Sequence, residues 1–117
     1  MLGSRTAVAL MLAIAVSVAN AADEVGPFTL TLSGKAFEER CIALSAGETI
    51  RYRFIASAPV DFNIHYHRGK DVFYPVKQAN VSDAGGAFRA ESTEEYCLMW
   101  ESAEGTIRLE GSVERSR

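Results

Sequence analysis

Downstream of Pro27 the chain repeatedly alternates apolar and polar residues with a period of two. In the first run Phe28, Leu30 and Leu32 oppose Thr29 and Thr31. The run from Thr49 to Ala56 sets Ile50, Tyr52 and Phe54 against Arg51 and Arg53. The run from Val60 to His67 sets Val60, Phe62, Ile64 and Tyr66 against Asp61, Asn63, His65 and His67. A last run, Thr106 to Glu114, sets Ile107, Leu109 and Val113 against Arg108, Glu110, Ser112 and Glu114. Successive side chains of a strand point to opposite faces, so each run predicts a strand with one buried and one solvated side.

Between the runs lie turn-forming clusters: Ser45-Ala46-Gly47-Glu48, Ser57-Ala58-Pro59, Arg68-Gly69-Lys70-Asp71, the charged Glu91 to Glu95, and Gly105. Arg68 to Asp71 reads as a hairpin link into Val72-Phe73-Tyr74. Pro75 has no N–H for a ladder, so that strand should be an edge or should stop there. Lys35 to Leu44 is a less regular strand, Gln78 to Gly86 reads as a polar loop, and Ala87 to Ala90 as a short strand. Tyr96 to Glu101 has little polar interruption, which predicts a central strand buried on both faces. About eight short strands at even spacing predict an all-β antiparallel sandwich, jelly-roll-like in arrangement.

The N-terminus has a different character. Arg5 precedes an apolar run from Ala7 to Val18, and Ala19-Asn20-Ala21 follows with small residues where a signal peptidase reads. A run of twelve residues, apolar but for Ser17, suits an export signal and is too short to span a bilayer. Residues 1–21 are therefore expected to be a signal peptide, cleaved after Ala21 or alternatively after Ala22, with an uncleaved anchor as the competing reading. Residues 22–117 then form a single domain, periplasmic or secreted, with no membrane span after cleavage. The chain carries 12 Lys+Arg against 15 Asp+Glu, a net charge of −3, and loss of Arg5 takes the domain to −4. A mildly acidic domain without a basic stripe argues against a nucleic-acid partner.

Export changes the reading of the two cysteines, Cys41 and Cys97. In an oxidising compartment a lone pair of cysteines is a disulfide by default. Closing so long a loop would contribute about 4 kcal/mol in the chain-entropy model. A pair of thiol metal ligands is the competing reading. Without a Cys-x-x-Cys motif a redox-active dithiol is not indicated.

One order of features resembles a known family. Cys41 is followed by Leu44-Ser45-Ala46-Gly47-Glu48-Thr49-Ile50, then Arg51-Tyr52-Arg53-Phe54, then Val60-Asp61-Phe62-Asn63-Ile64. Tyr96-Cys97-Leu98-Met99-Trp100-Glu101-Ser102 comes much later, before a final alternating strand. This pattern is similar to the GOLD (Golgi-dynamics) domain, a β-sandwich of secretory-pathway cargo receptors and some lipid-transfer proteins. The resemblance spans about residues 28 to 115. It implies a bridge between Cys41 and Cys97, and a binding module rather than an enzyme. The receptors' coiled coil and membrane span do not follow the domain in this sequence, so a cargo-receptor role is not carried over.

Candidate chemistry centres on His65-Tyr66-His67. Residues two apart in a strand share a face, so the two imidazoles can chelate one copper or zinc ion. Asp61 offers a carboxylate on the same face and Met99 a thioether. The same four polar positions equally describe the solvated side of an amphipathic strand, and Arg68 and Lys70 would oppose a cation. Burial of that face would favour the metal reading. There is no Gly-x-Ser-x-Gly elbow, phosphate loop or His-Glu-x-x-His motif, so no enzyme is expected.

The aromatic residues are expected in the core, or in a cleft for an apolar ligand. Val72, Phe73, Tyr74 and Pro75 are the expected interaction edge for a protein or small apolar ligand. The sequence thus predicts an exported binding module, with a copper- or zinc-binding protein as the alternative.

Overall fold

The alternating runs form strands, but they merge into fewer and longer ones than their spacing predicts. The computed structural model describes residues 24–116; the expected signal segment lies outside them. Six strands follow: β1 (Gly26–Ser33), β2 (Ala36–Leu44), β3 (Thr49–Arg68), β4 (Asp71–Arg89), β5 (Glu94–Ser102) and β6 (Thr106–Ser116). All pair antiparallel in one sheet ordered β1-β6-β3-β5-β2, with β4 hydrogen-bonded to β3 outside that path. This single sheet curls into a half-barrel; among the described residues the expected two-sheet sandwich of about eight strands is not shown.

The merging has a local cause. Ser57-Ala58-Pro59 does not end a strand; it bends one. Between the pairs Ile55↔Asp83 and Val60↔Val81 the register slips, with residues 56–59 of β3 opposite residue 82 of β4. Before the bend β3 pairs with β6, and after it with β5. One 20-residue strand therefore serves two arms of the sheet. The first arm is β1, β6 and the N-terminal half of β3; the second is β2, β5 and its C-terminal half.

Gln78 to Gly86, expected as a loop, continues β4. Polar residues suit it because β4 is an edge with little to pack against. Gly85 fits there because an added Cβ would lie 2.8 Å from the carbonyl oxygen of Tyr52.

The concave face holds the core. Trp100 of the second arm packs its ring 5.1 Å from Phe28, 5.7 Å from Phe54 and 5.5 Å from Phe62. Phe28 and Phe54 belong to the first arm, so this cluster ties the two arms together. Phe28 reaches it across Gly111, where any Cβ would meet the Phe28 ring at 2.7 Å and Phe54 Cβ at 2.9 Å.

Cys41 and Cys97 are bonded across β2 and β5, as the sequence predicts, in direct register. The Cys41 N–H donates to Glu24 Oε1 at 2.9 Å, and its carbonyl accepts the Glu24 N–H at 2.9 Å. Its backbone groups thus turn away from β5. This is the kind of antiparallel pair whose side chains approach most closely, and a direct cross-strand bridge needs that approach.

Candidate functional site

On the convex face the two arms differ. The second arm lines up two rows of side chains across β3, β5 and β2. Asn63, Met99 and Glu39 form one row, and His65, Cys97 and Cys41 the next. A convex sheet face is ordinarily wet, yet here Asn63 is 5 % and His65 only 4 % exposed.

For His65 a β-bulge accounts for the burial. Between Ile64↔Val76 and Tyr66↔Phe73, two residues of β4, Tyr74 and Pro75, oppose His65 alone. Such bulges re-aim side chains, and this one brings the Tyr74 ring to 5.8 Å from the His65 ring. The Lys77 ammonium sits 5.0 Å over Tyr74 in turn. His67 stands edge-on to His65 at 5.2 Å.

Buried polar groups need partners. His65 Nδ1 lies 2.7 Å from Asn63 Oδ1, and Nε2 lies 3.4 Å from Glu39 Oε2. Burial pushes the His65 pKa below its ordinary value; the Glu39 charge opposes this and His67 reinforces it. The neutral ring is therefore favoured. With Nδ1–H donating to the Asn63 carbonyl oxygen, Nε2 points a lone pair at the Glu39 carboxylate.

The residues singled out from sequence are distributed as follows. His65 and His67 share the convex face; His65 is buried and His67 exposed. Met99 is half-buried between Asn63 and Glu39. Asp61 is committed elsewhere: its Oδ1 accepts the N–H of Asn80 at 3.1 Å. Asn80 sits in a second bulge with a positive φ of 62°, a conformation Asn tolerates.

Among the described residues, the metal-ligating group with donor atoms within 4.8 Å of one another is Glu39, His65 and Cys97. Cys97 sulfur is held in the disulfide. Glu39 was not singled out from sequence, because alternation alone cannot say which strands are neighbours. The bridge itself carries the signal. If Cys41 opposes Cys97, antiparallel register puts Glu39 opposite Met99 on the same face.

Val72, Phe73 and Tyr74 are 38 %, 39 % and 47 % exposed, consecutive, and followed by Pro75. They lie on β4, which pairs on one side only among the described residues. Beside them a groove of about 670 Å³ is lined by Tyr66, Phe73, Tyr74, Phe88 and Tyr96, with Arg68 at its rim. The Tyr66 and Phe73 rings stack at 5.1 Å, and the Arg68 guanidinium lies 5.4 and 5.6 Å over them. Arg68 is held by Glu94 at 3.1 Å and Ser92 at 3.3 Å.

No protein-family model matches this chain, and no curated protein matches its sequence. Solved structures resemble it in fold. PliG of Aeromonas hydrophila, a periplasmic inhibitor of g-type lysozyme, superimposes with a TM-score of 0.55 at 12 % identity, over 81 % of this chain and 90 % of that one. The pre-peptidase C-terminal domain of Bacillus anthracis collagenase gives 0.59 at 16 %, over 77 % and 89 %. The Yersinia pseudotuberculosis-derived mitogen gives 0.52 at 11 %, over 75 % and 84 %. Identities this low establish a shared small all-β fold and nothing finer, and no family model supports the GOLD resemblance. No helix among the described residues is long and apolar enough to cross a membrane.

Proposed function

We propose that this chain is an exported, non-catalytic binding module that takes a protein partner along the Val72-Phe73-Tyr74-Pro75 edge of β4. The observation that carries this reading is the coincidence of three consecutive exposed apolar side chains with a strand edge that has no neighbour among the described residues. Exposed apolar residues are common singly; a contiguous group on a free edge is what proteins otherwise blunt. A partner strand added there would gain main-chain hydrogen bonds from β4, and its alternate side chains would enter the aromatic groove. The groove suits a protein side chain or another apolar group; the neighbouring backbone edge favours a peptide.

Export is supported by the Arg5 and Ala7–Val18 pattern together with the disulfide. A periplasmic inhibitor shares the fold, which fits a module that works by binding. The GOLD resemblance supports the same class of role.

The test is comparative capture. The mature wild-type domain, a Phe73→Ser/Tyr74→Ser variant and an Ile55→Ser variant are immobilised and exposed to extract from the producing cell's envelope. Wild type and Ile55→Ser should retain the same discrete protein, and the β4 variant should lose it. Equal retention by all three would sink the β4 assignment.

A further inference from the structure

The buried polar cluster on the convex face is not used by the docking edge. In the bridged protein it is incomplete. His65 Nε2 and Glu39 Oε2 face one another at 3.4 Å, and in the tautomer that gives Nδ1–H to Asn63 both are acceptors. Two acceptors so placed need a proton or a cation between them. Zinc bonds to nitrogen and oxygen of about 2.0–2.2 Å, at a tetrahedral angle, set an N···O edge of about 3.3 Å. The observed separation is close to that edge. Asn63 holds the remote ring nitrogen, which is how metal-binding imidazoles are usually oriented.

The missing ligands stand in the adjacent row. Cys97 sulfur lies within 4.8 Å of both donor atoms, and Cys41 Sγ is 3.9 Å from Glu39 Oε1. While bonded to each other the sulfurs are poor ligands, since the thiolate is the metal-binding form.

We propose that reduction of the Cys41–Cys97 bridge converts this cluster into a Zn²⁺ site with Cys41, Cys97, His65 and Glu39 as its four ligands. A dithiol reductant transfers two electrons and two protons to the bridge, breaking the S–S bond to give two thiols and becoming a disulfide itself. Zinc then displaces the two thiol protons. The sulfurs must part from 2.06 Å to about 3.8 Å, the S···S edge set by Zn–S bonds of about 2.3 Å. Side-chain rotation on the paired strands can supply that opening. Two thiolates, one neutral imidazole and one carboxylate form a donor set characteristic of zinc. The metal would replace the covalent link between β2 and β5 with a coordinate one, so the second arm would keep its registration in either redox state. Of the residues expected from sequence to bind copper or zinc, His65 is retained here, while His67 and Met99 flank the site.

The experiment uses the mature domain, oxidised or reduced with dithiothreitol that is then removed without oxygen. Co²⁺ serves as a spectroscopic probe for zinc, and Zn²⁺ affinity is measured by competition with a chromogenic chelator. The reduced wild type should bind one metal per chain, with visible bands of a tetrahedral ion and thiolate-to-cobalt charge transfer; the oxidised chain should show neither. His65→Ala and Glu39→Gln should each weaken binding at least tenfold, and Asn63→Ala by about 10–100-fold. A reduced chain that unfolds without metal should refold when zinc is added, as circular dichroism would read.

Three results would overturn the proposal: no binding by the reduced chain, equal binding by the oxidised chain, or binding by reduced protein unchanged in His65→Ala. The last would mean loose chelation by two free thiols, and it remains readable even if a variant is unfolded.

Discussion

The two arms of the sheet carry the same alternating pattern and differ in what they do with its polar half. On the first arm Arg51, Arg53 and Ile55 of β3 lie exposed on the convex face, and Arg53 makes a 3.6 Å contact with the exposed Asp83. On the second arm the equivalent positions Asn63 and His65 are buried, with the Tyr74 ring 5.8 Å from His65 and the disulfide-bonded Cys97 in register beside it. Period-two alternation therefore establishes which face a residue occupies. It does not establish whether that face is wet. A bulge and a tyrosine supplied by the neighbouring strand decide that.

The inner faces should not distinguish the arms. Phe54→Ala in the first and Trp100→Ala in the second should each cost about 3–5 kcal/mol of stability, read from denaturant midpoints. A loss in only one arm would mean that the shared aromatic cluster does not join them.

The outer faces should separate the arms next. A Cys41→Ser/Cys97→Ser variant should lose about 2–5 kcal/mol, most directly by freeing β2 from β5. Hydrogen exchange should then rise in residues 36–44 and leave residues 106–113 of β6 protected. Uniform loss of protection would show that the arms unfold as one unit.

Single polar substitutions give a finer contrast. His65→Ala leaves Asn63 buried without its partner and should cost about 1–3 kcal/mol. Arg53→Ala, at an exposed position of the other arm, should stay within about 0.5 kcal/mol. Equal costs in thermal unfolding would contradict the distinction.

The smallest effect is a pH dependence of the oxidised protein. The folded pKa of His65 lies below its ordinary 6.5, so the unfolded state binds more protons once the pH falls toward that value. Stability from the neutral ring is fully present above pH 6.5 and is lost as pH falls through the window down to the folded pKa. Glu39 limits the loss by attracting the proton, while His67 adds to it; Tyr74 faces the ring from β4. Between pH 7.5 and 5.5 the wild-type melting temperature should fall by more than that of His65→Gln. Parallel curves would remove His65 as the cause.

Much of the fold is legible in the sequence. The faces of β1, β3 and β6, the hairpin at Arg68 to Asp71 and the edge character signalled by Pro75 follow from local patterns, and the disulfide follows from a lone cysteine pair behind an export-signal pattern. Strand number does not. Ser57-Ala58-Pro59 looks like a terminator, but a strand can bend through a register slip when its neighbours change there. Gln78 to Gly86 looks like a loop because an edge strand needs no apolar face.

The candidate site is half legible. His65 announces itself beside His67, whereas Glu39 and the covering Tyr74 arrive from other strands through register and a bulge. Asp61 matches its expected face, yet its carboxylate is occupied by the backbone of Asn80.

The central functional claim is that the β4 edge of the second arm, rather than exposed apolar surface in general, receives a partner. Ile55 and Tyr74 make a matched pair for testing it, at 52 % and 47 % exposure on different arms. A photo-crosslinking residue is placed at either position in the exported protein and activated in the cell that makes it. The account predicts a discrete protein adduct from position 74 and none from position 55. Adducts of equal yield from both positions, or an adduct from position 55 alone, would contradict it.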